Sequence, residues 1–302
     1  MNLAHAVGSL KHACSNCGGS CHGVRVRLIS AEEDTRIRTL GAELGVTDPV
    51  TEGRLRFEQG RCVFLDAGGC QLHARYGAAA KPTICRQYPL VVTDTGKGQR
   101  VGIDPGCYSA WASRHTAAAV PLSGALAHSV PLDERAERNE GAVMAVLTQP
   151  GQTLSGALQT LIGQPADAFA GRWIQRLQAS QLDELLLRPE TGRAVRDALS
   201  PTITQIQQLD PAHPPQLQLA PEQDQWAVEV AARMVGLRLA PTMPVVQAVA
   251  LLALGGALAV SWTDPRPEPF GKALAGWARA MRAPIFWQAI LPGPEAIVAL
   301  VG

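Results

Sequence analysis

Charge is scarce in this chain and nearly balanced. Only 18% of its 302 residues are Asp, Glu, Lys or Arg, and the net charge is +1. No global field therefore draws it to nucleic acid or to an anionic membrane. Residues 1–120 carry 14 Lys and Arg against 10 Asp and Glu, and residues 121–302 carry 13 against 16. That small surplus lacks the clustered basic residues of a nucleic-acid footprint. Internal repeats and low-complexity tracts are absent. No Ser-His-Asp or paired-carboxylate arrangement is legible. No Gly-rich turn joins a clear strand to a helix with an acid downstream, so a dinucleotide or methyl-donor signature is missing. The opening MNLAHAVGSLKHAC has no charged stretch followed by an apolar run. No secretory signal is expected from it, and the expected location is cytoplasmic. Disulfides are disfavoured in that reducing setting.

Cysteine is absent after Cys107. All seven cysteines lie between Cys14 and Cys107. This composition shift puts a domain boundary near residue 115, giving a cysteine-rich domain over 1–115 and a second domain over 116–302. Apolar residues make up 46% of the chain, enough for a sizeable ordered core. The expected class is α+β: a small metal-nucleated N-terminal domain followed by a mostly α-helical one. One long apolar run, Pro244–Trp262, approaches the roughly 20 residues of a membrane span. Its Ala and Gly content and mid-chain position favour a buried helix.

Local patterns give the elements. Val24–Ile29 alternates apolar and basic residues and predicts a strand. Ser30 with Glu33 forms a capping-box start for a helix over 31–44. Gln59-Gly60 predicts a hairpin between Leu55–Glu58 and Arg61–Leu65. A turn at Ala67–Gly69 leads into a short helix. Leu90–Thr93 and Arg100–Ile103 pair, and Asp104-Pro105-Gly106 turns the chain into Cys107. Beyond 116, helices are predicted over 133–148, 152–162, 165–187, 190–199, 222–239, 244–261, 269–281 and 284–291. The Pro-rich segment 210–221 reads as an exposed linker. Trp226, Trp262, Trp277 and Trp287 read as helix-core residues.

The chemistry lies in the cysteines. Cys14 and Cys17 have the C-x2-C spacing by which a tight turn gives two thiolates to one ion. Gly18-Gly19 lets the backbone fold round that ion. Cys21 and His22 bring two further donors. Cys62, Cys70, Cys85 and Cys107 form a second set, three of them beside Gly or Pro turns. Buried apolar thiols, disulfides and redox thiols are the alternatives, and they suit seven cysteines in this pattern less well than metal ligation. Thiolates favour zinc, iron–sulfur clusters or copper(I) over magnesium or calcium. Seven thiolates with one imidazole fill two four-coordinate sites, or hold one cluster with accessory ligands. Zinc and iron–sulfur take the same donors at these spacings.

The order C-x2-C-G-G-x-C, then C-x-F-L, G-C-x-L-H and K-P-x-x-C-R-x-Y-P-L, then a final Cys after Pro-Gly, resembles the YkgJ-type cysteine-cluster family over about residues 12–110. That family is described as a zinc- or iron-chelating domain. The resemblance implies ligand roles for Cys14, Cys17, Cys21, Cys62, Cys70, Cys85 and Cys107. Where the family commonly closes its first cluster with two adjacent cysteines, this chain has Cys21-His22. His22 is thus a candidate eighth ligand, and His73, three residues after Cys70, competes with it. Long members with a helical extension resemble the flagellin lysine N-methylase branch, which implies S-adenosylmethionine as cofactor and a protein substrate. Three functions are thus expected as alternatives: a metal-binding module, a protein lysine N-methyltransferase, and an iron–sulfur electron-transfer protein. Arg86 reads either as an anion contact or as a loop-orienting group. Asp104 reads either as a partner fixing a ligand or as turn chemistry.

Overall fold

A computed structural model of the chain describes residues 5–15, 26–120, 126–188, 191–240 and 245–291. Cys17, Cys21 and His22 lie outside the described residues. The elements are β1 (His5–Ala6), α1 (Ala31–Glu43), β2 (Val50–Thr51), β3 (Arg54–Leu55), β4 (Phe57–Glu58), β5 (Arg61–Cys62), β6 (Leu65–Asp66), β7 (Gly69–Cys70), α2 (Gln71–Tyr76), α3 (Thr83–Gln87), β8 (Leu90–Asp94), β9 (Gln99–Ile103), α4 (Tyr108–Ala112), β10 (Ala127–Ser129), α5 (Glu134–Leu147), α6 (Leu154–Ile162), α7 (Ala166–Gln178), α8 (Leu182–Leu187), α9 (Arg193–Ile206), α10 (Pro221–Gly236), α11 (Val246–Thr263), α12 (Pro267–Ala280) and α13 (Pro284–Ile290). The class is mixed α+β, with small sheets and a helical C-terminal part.

Two apolar cores form. The smaller one gathers Leu28, Ile37, Val50, Leu55, Cys62, Phe64, Leu65 and Leu72. Three two-residue hairpins, β2–β3, β4–β5 and β6–β7, surround it with α1 and α2. In β4–β5, Gln59 (φ 50°) and Gly60 (φ 75°) both take positive φ, the requirement of the tight turn that matches strand twist. The expected strand over Val24–Ile29 is absent among its described residues. Arg27 makes only an isolated bridge to Arg54, because Ser30 already caps α1.

The larger core joins residues on both sides of position 115. Its sheet has the order β1-β9-β8-β10, with β8 and β9 antiparallel and each outer strand parallel to its neighbour. Leu90, Val92, Val101 and Ile103 of that sheet pack into one cluster with the helices. At its centre runs α11, touched by α5, α6, α7, α9, α10 and α12. Its 18 residues are apolar enough to cross a membrane by composition, yet 78% of them are buried inside the protein. Two notches explain the close packing. A Cβ at Gly256 would lie 2.2 Å from Trp277, and one at Gly255 would lie 2.7 Å from Trp173. The two indole N–H groups donate to Leu252 O at 2.9 Å and Gly255 O at 2.8 Å.

Three expectations in the helical part change. The single helix over 165–187 is two, α7 and α8, separated at 179–181, where Ser180 Oγ donates to Leu177 O at 2.6 Å. The helix expected to stop at 199 runs through Pro201 to Ile206, because Thr202, Ile203 and Ile206 are buried. That burial outweighs the roughly 3 kcal/mol cost of an internal proline. The segment 210–221 is irregular and part-exposed up to the start of α10, as a linker would be, but it also docks on the core. Pro215 O accepts from Trp262 Nε1 at 3.1 Å, and Leu217 and Leu219 pack on the core.

Candidate metal centre

Glu33 ties α1 to the loop that carries Cys85. Its first carboxylate oxygen accepts from Thr83 N at 2.7 Å and Thr83 Oγ1 at 2.9 Å. Its second accepts from Ile29 N at 2.9 Å, while Ser30 Oγ caps Glu33 N at 3.2 Å. The capping box is thus shifted: Glu33 reaches past Ser30 to Ile29 and spends its other oxygen on α3. Arg36 on the same helix donates to Ala80 O at 2.6 Å. Burial pushes the Glu33 pKa up, but the Ile29 and Thr83 donors with Arg36 outweigh it, leaving it below the ordinary 4.5. Arg86 is exposed and donates to Thr83 Oγ1 at 2.8 Å, which makes it a loop-orienting group.

This clamp places three thiols on one small core. Cys62 is buried within it on β5, opposite Phe57, and Cys70 on β7 and Cys85 on α3 pack against it, half-buried. His73 sits on the exposed side of α2. The chain from Cys85 passes Pro89, whose carbonyl accepts from Asp104 N at 2.8 Å. Cys85 and Cys107 therefore leave the same open end of the β8–β9 hairpin.

Cys107 is 5% exposed. His12 Nε2 lies 3.6 Å from its sulfur. The His12 segment is docked along this region: His12 N donates to Ala118 O at 3.2 Å and Ala13 N to Ser113 Oγ at 2.9 Å. Ser15 N donates to Ser109 Oγ at 3.1 Å. Cys14, exposed, is held between those last two anchors. Burial lowers the His12 pKa from 6.5, so the imidazole is neutral near pH 7.

Three guanidinium groups surround the turn before Cys107. Asp104 is 2% exposed; one oxygen accepts from Gly106 N at 2.7 Å and also pairs with Arg282. Arg279 Nε donates to Gly106 O at 2.5 Å. Arg233, 1% exposed, pairs with Glu229 at 2.5 Å and lies over the Trp226 ring at 4.8 Å. Its Nε and Nη1 are buried with no hydrogen-bond partner among the described residues. Asp104 shows the expected turn chemistry and also anchors a charge pair with Arg282.

The structure therefore sets the described cysteines in two neighbourhoods, Cys62, Cys70 and Cys85 on the small core and Cys14 and Cys107 on the larger one. Among the described residues, no three His, Cys, Asp or Glu side chains converge closely enough to hold a metal ion. The undescribed segment 16–25, with Cys17, Cys21 and His22, joins Ser15 beside Ser109 to Val26 on the small core. The donor set as a whole is soft thiolate with imidazole, which suits zinc or iron–sulfur chemistry. Sequence reasoning passed over His12, although it lies two residues before Cys14. Arg233, Arg279 and Arg282 carry no local signal, because they lie 126 to 175 positions beyond Cys107 in sequence.

No family model matches the chain, and no curated protein or solved structure matches it. The likeness to the YkgJ-type family rests on the cysteine pattern itself.

Away from the cysteines, a cavity of 580 Å³ opens between strand β1, the α5–α6 connection and one face of α10. Asp224 and Glu229 border it. Burial raises the Asp224 pKa, although Leu154 N donates to its carboxylate at 2.6 Å.

Proposed function

We propose that this chain is a metal-binding protein of the cysteine-cluster type, with residues 1–115 organised around zinc or an iron–sulfur centre and residues 116–302 supporting them. The observation that carries this reading is the placing of Cys62, Cys70 and Cys85 on one small core. That core has eight buried apolar side chains and hairpins whose strands are two residues each. Units so short of apolar mass usually depend on a metal or another cross-link. Cys14, Cys17, Cys21, His22, Cys62, Cys70, Cys85 and Cys107 are the donors available to hold the metal. The bound ion would supply folding free energy directly. A reducing, cytoplasmic setting belongs to this reading, since only reduced thiols bind.

The test is metal content of the full chain and of Cys62→Ser, Cys70→Ser and Cys85→Ser. The expected result is bound metal in the parent and a loss of at least half of it in each variant. Equal content in all four proteins overturns the reading.

A methyl-transfer activity is a second proposal, favoured by one observation. The 580 Å³ cavity has the size of a cofactor site, and the Asp224 carboxyl borders it. S-adenosylmethionine should then raise the melting temperature of the full chain, and a protein lysine should receive its methyl group. No shift at millimolar donor rejects it.

A further inference from the structure

We propose that the cavity between β1, the α5–α6 connection and α10 is a binding site for a small primary amine with an apolar body, its ammonium group held by Asp224. This goes beyond the metal-binding reading and does not rest on it. It shares its cavity with the methyl-transfer proposal, but needs neither S-adenosylmethionine nor a methyl acceptor.

The walls argue for the apolar body. Val7, Met144, Leu147, Val228 and Ala232 line the cavity, and all but Met144 are buried in the larger core. Its volume of 580 Å³ lies in the range of pockets that enclose small molecules. The rest of the fold holds these walls in place. β1 pairs with β9, and α10 packs against α5, α6, α11 and α12. A ligand therefore enters a preformed site and spends little free energy on ordering it.

The polar groups argue for the ammonium. Most of those on the cavity wall are already engaged within the chain. Thr148 Oγ1 donates to Met144 O at 2.7 Å, and Thr153 Oγ1 accepts from Gly156 N at 3.0 Å. Gln152 donates to Val146 O at 3.1 Å and accepts from Thr153 N at 3.1 Å. Glu229 accepts from Ser9 N at 2.8 Å, and its charge is matched by Arg233. Asp224 differs. One carboxylate oxygen accepts from Leu154 N at 2.6 Å, and the other makes no hydrogen bond among the described residues. No Lys, Arg or His among those residues pairs with it. Asp224 is thus a half-buried, unmatched negative charge on an apolar wall. Burial raises its pKa, so the charge is held at a cost that a bound cation offsets.

An anion is not served there. Among the described residues that line the cavity there is no Lys, Arg or His. The Leu154 and Gly156 amides at the start of α6 are engaged by Asp224 and Thr153 Oγ1.

The experiment is a calorimetric titration of the full chain near neutral pH with three probes that share an indole body, which suits the Met144 thioether on the wall. Tryptamine is cationic, tryptophol has a hydroxyl in place of the ammonium, and indole-3-propionate has a carboxylate. Hydrogen bonds to charged groups are worth about ten- to hundredfold in affinity. Tryptamine should therefore bind at least about tenfold more tightly than tryptophol, and indole-3-propionate least of the three. Asp224→Asn keeps an acceptor for Leu154 N. It should weaken tryptamine by about tenfold or more and leave tryptophol within about twofold. Gln225→Trp, at an exposed position of the lining, should crowd the mouth and weaken tryptamine and tryptophol together. It locates the site even if Asp224→Asn does not fold. The proposal fails if tryptamine does not bind at millimolar concentration, if the three probes bind alike, or if either folded variant binds tryptamine as the parent does. Such a failure leaves the metal-binding reading standing, because metal content is measured separately. The melting shift with S-adenosylmethionine likewise decides the methyl-transfer proposal on its own.

Discussion

Glu33 shows how much one buried carboxylate can organise. It satisfies two backbone donors and one hydroxyl at 2.7–2.9 Å, and links the start of α1 to the start of α3. Glu33→Ala leaves those donors unpaired and should cost about 1–3 kcal/mol in chemical denaturation. Its pKa is lower folded than unfolded, so its contribution is complete above the ordinary 4.5 and is lost as pH falls through the depressed folded value. Stability of the parent should therefore drop below pH 4.5 more steeply than that of Glu33→Gln. Arg238 makes a parallel case. It is 5% exposed, takes φ 51° at the end of α10, and pairs with Glu140 at 2.8 Å. Arg100 meets the same carboxylate at 2.5 Å. Arg238→Ala should lower unfolding free energy by about 1–3 kcal/mol, since it takes one cation from buried Glu140, which keeps Arg100, and removes the donor to Val130 O. A loss under 1 kcal/mol would contradict the network.

At the scale of elements, the glycines of α11 oppose helix propensity and win through packing. Alanine at position 256 gains about 1 kcal/mol of propensity. Its Cβ would meet Trp277 at 2.2 Å, inside any allowed contact. Gly256→Ala should still destabilise, by about 1–3 kcal/mol, because overpacking a rigid indole outweighs propensity. A melting temperature equal to or above the parent's would contradict this. The same comparison explains what was readable beforehand. The β8–β9 pairing and the β4–β5 turn were legible because Gln59-Gly60 and the alternating runs are local signals. The starts of α10, α12 and α13 were placed within two residues, and the start of α1 was legible from Ser30. The break between α7 and α8 was not, nor was the passage of α9 through Pro201. Both depend on what the helices bury, which periodicity within one segment does not carry. The same limit hid the Cys107 surroundings. Gly106 and Asp104 announce a turn, but the arginines that meet them come from α10, α12 and the residues after α12.

Across the whole molecule, the two cores differ in kind. The larger closes over α11 with stacked and edge-on aromatics from Phe169 through Trp173 and Trp277 to Phe286. The smaller has short hairpins, the 13-residue α1, a buried thiol at Cys62, and two more, Cys70 and Cys85, packed against it. Metal removal should act unevenly. Chelation of the full chain should raise amide exchange over residues 26–87 by at least tenfold and leave α10 and α11 protected. Uniform exchange in both regions, or none in either, would contradict the division. The most direct measurement is metal content with a visible spectrum on full-length protein purified without oxygen. The account predicts tightly bound metal, zinc or iron with sulfide, that leaves only with chelator or acid. A folded, stable chain that carries no zinc, iron or sulfide would contradict it.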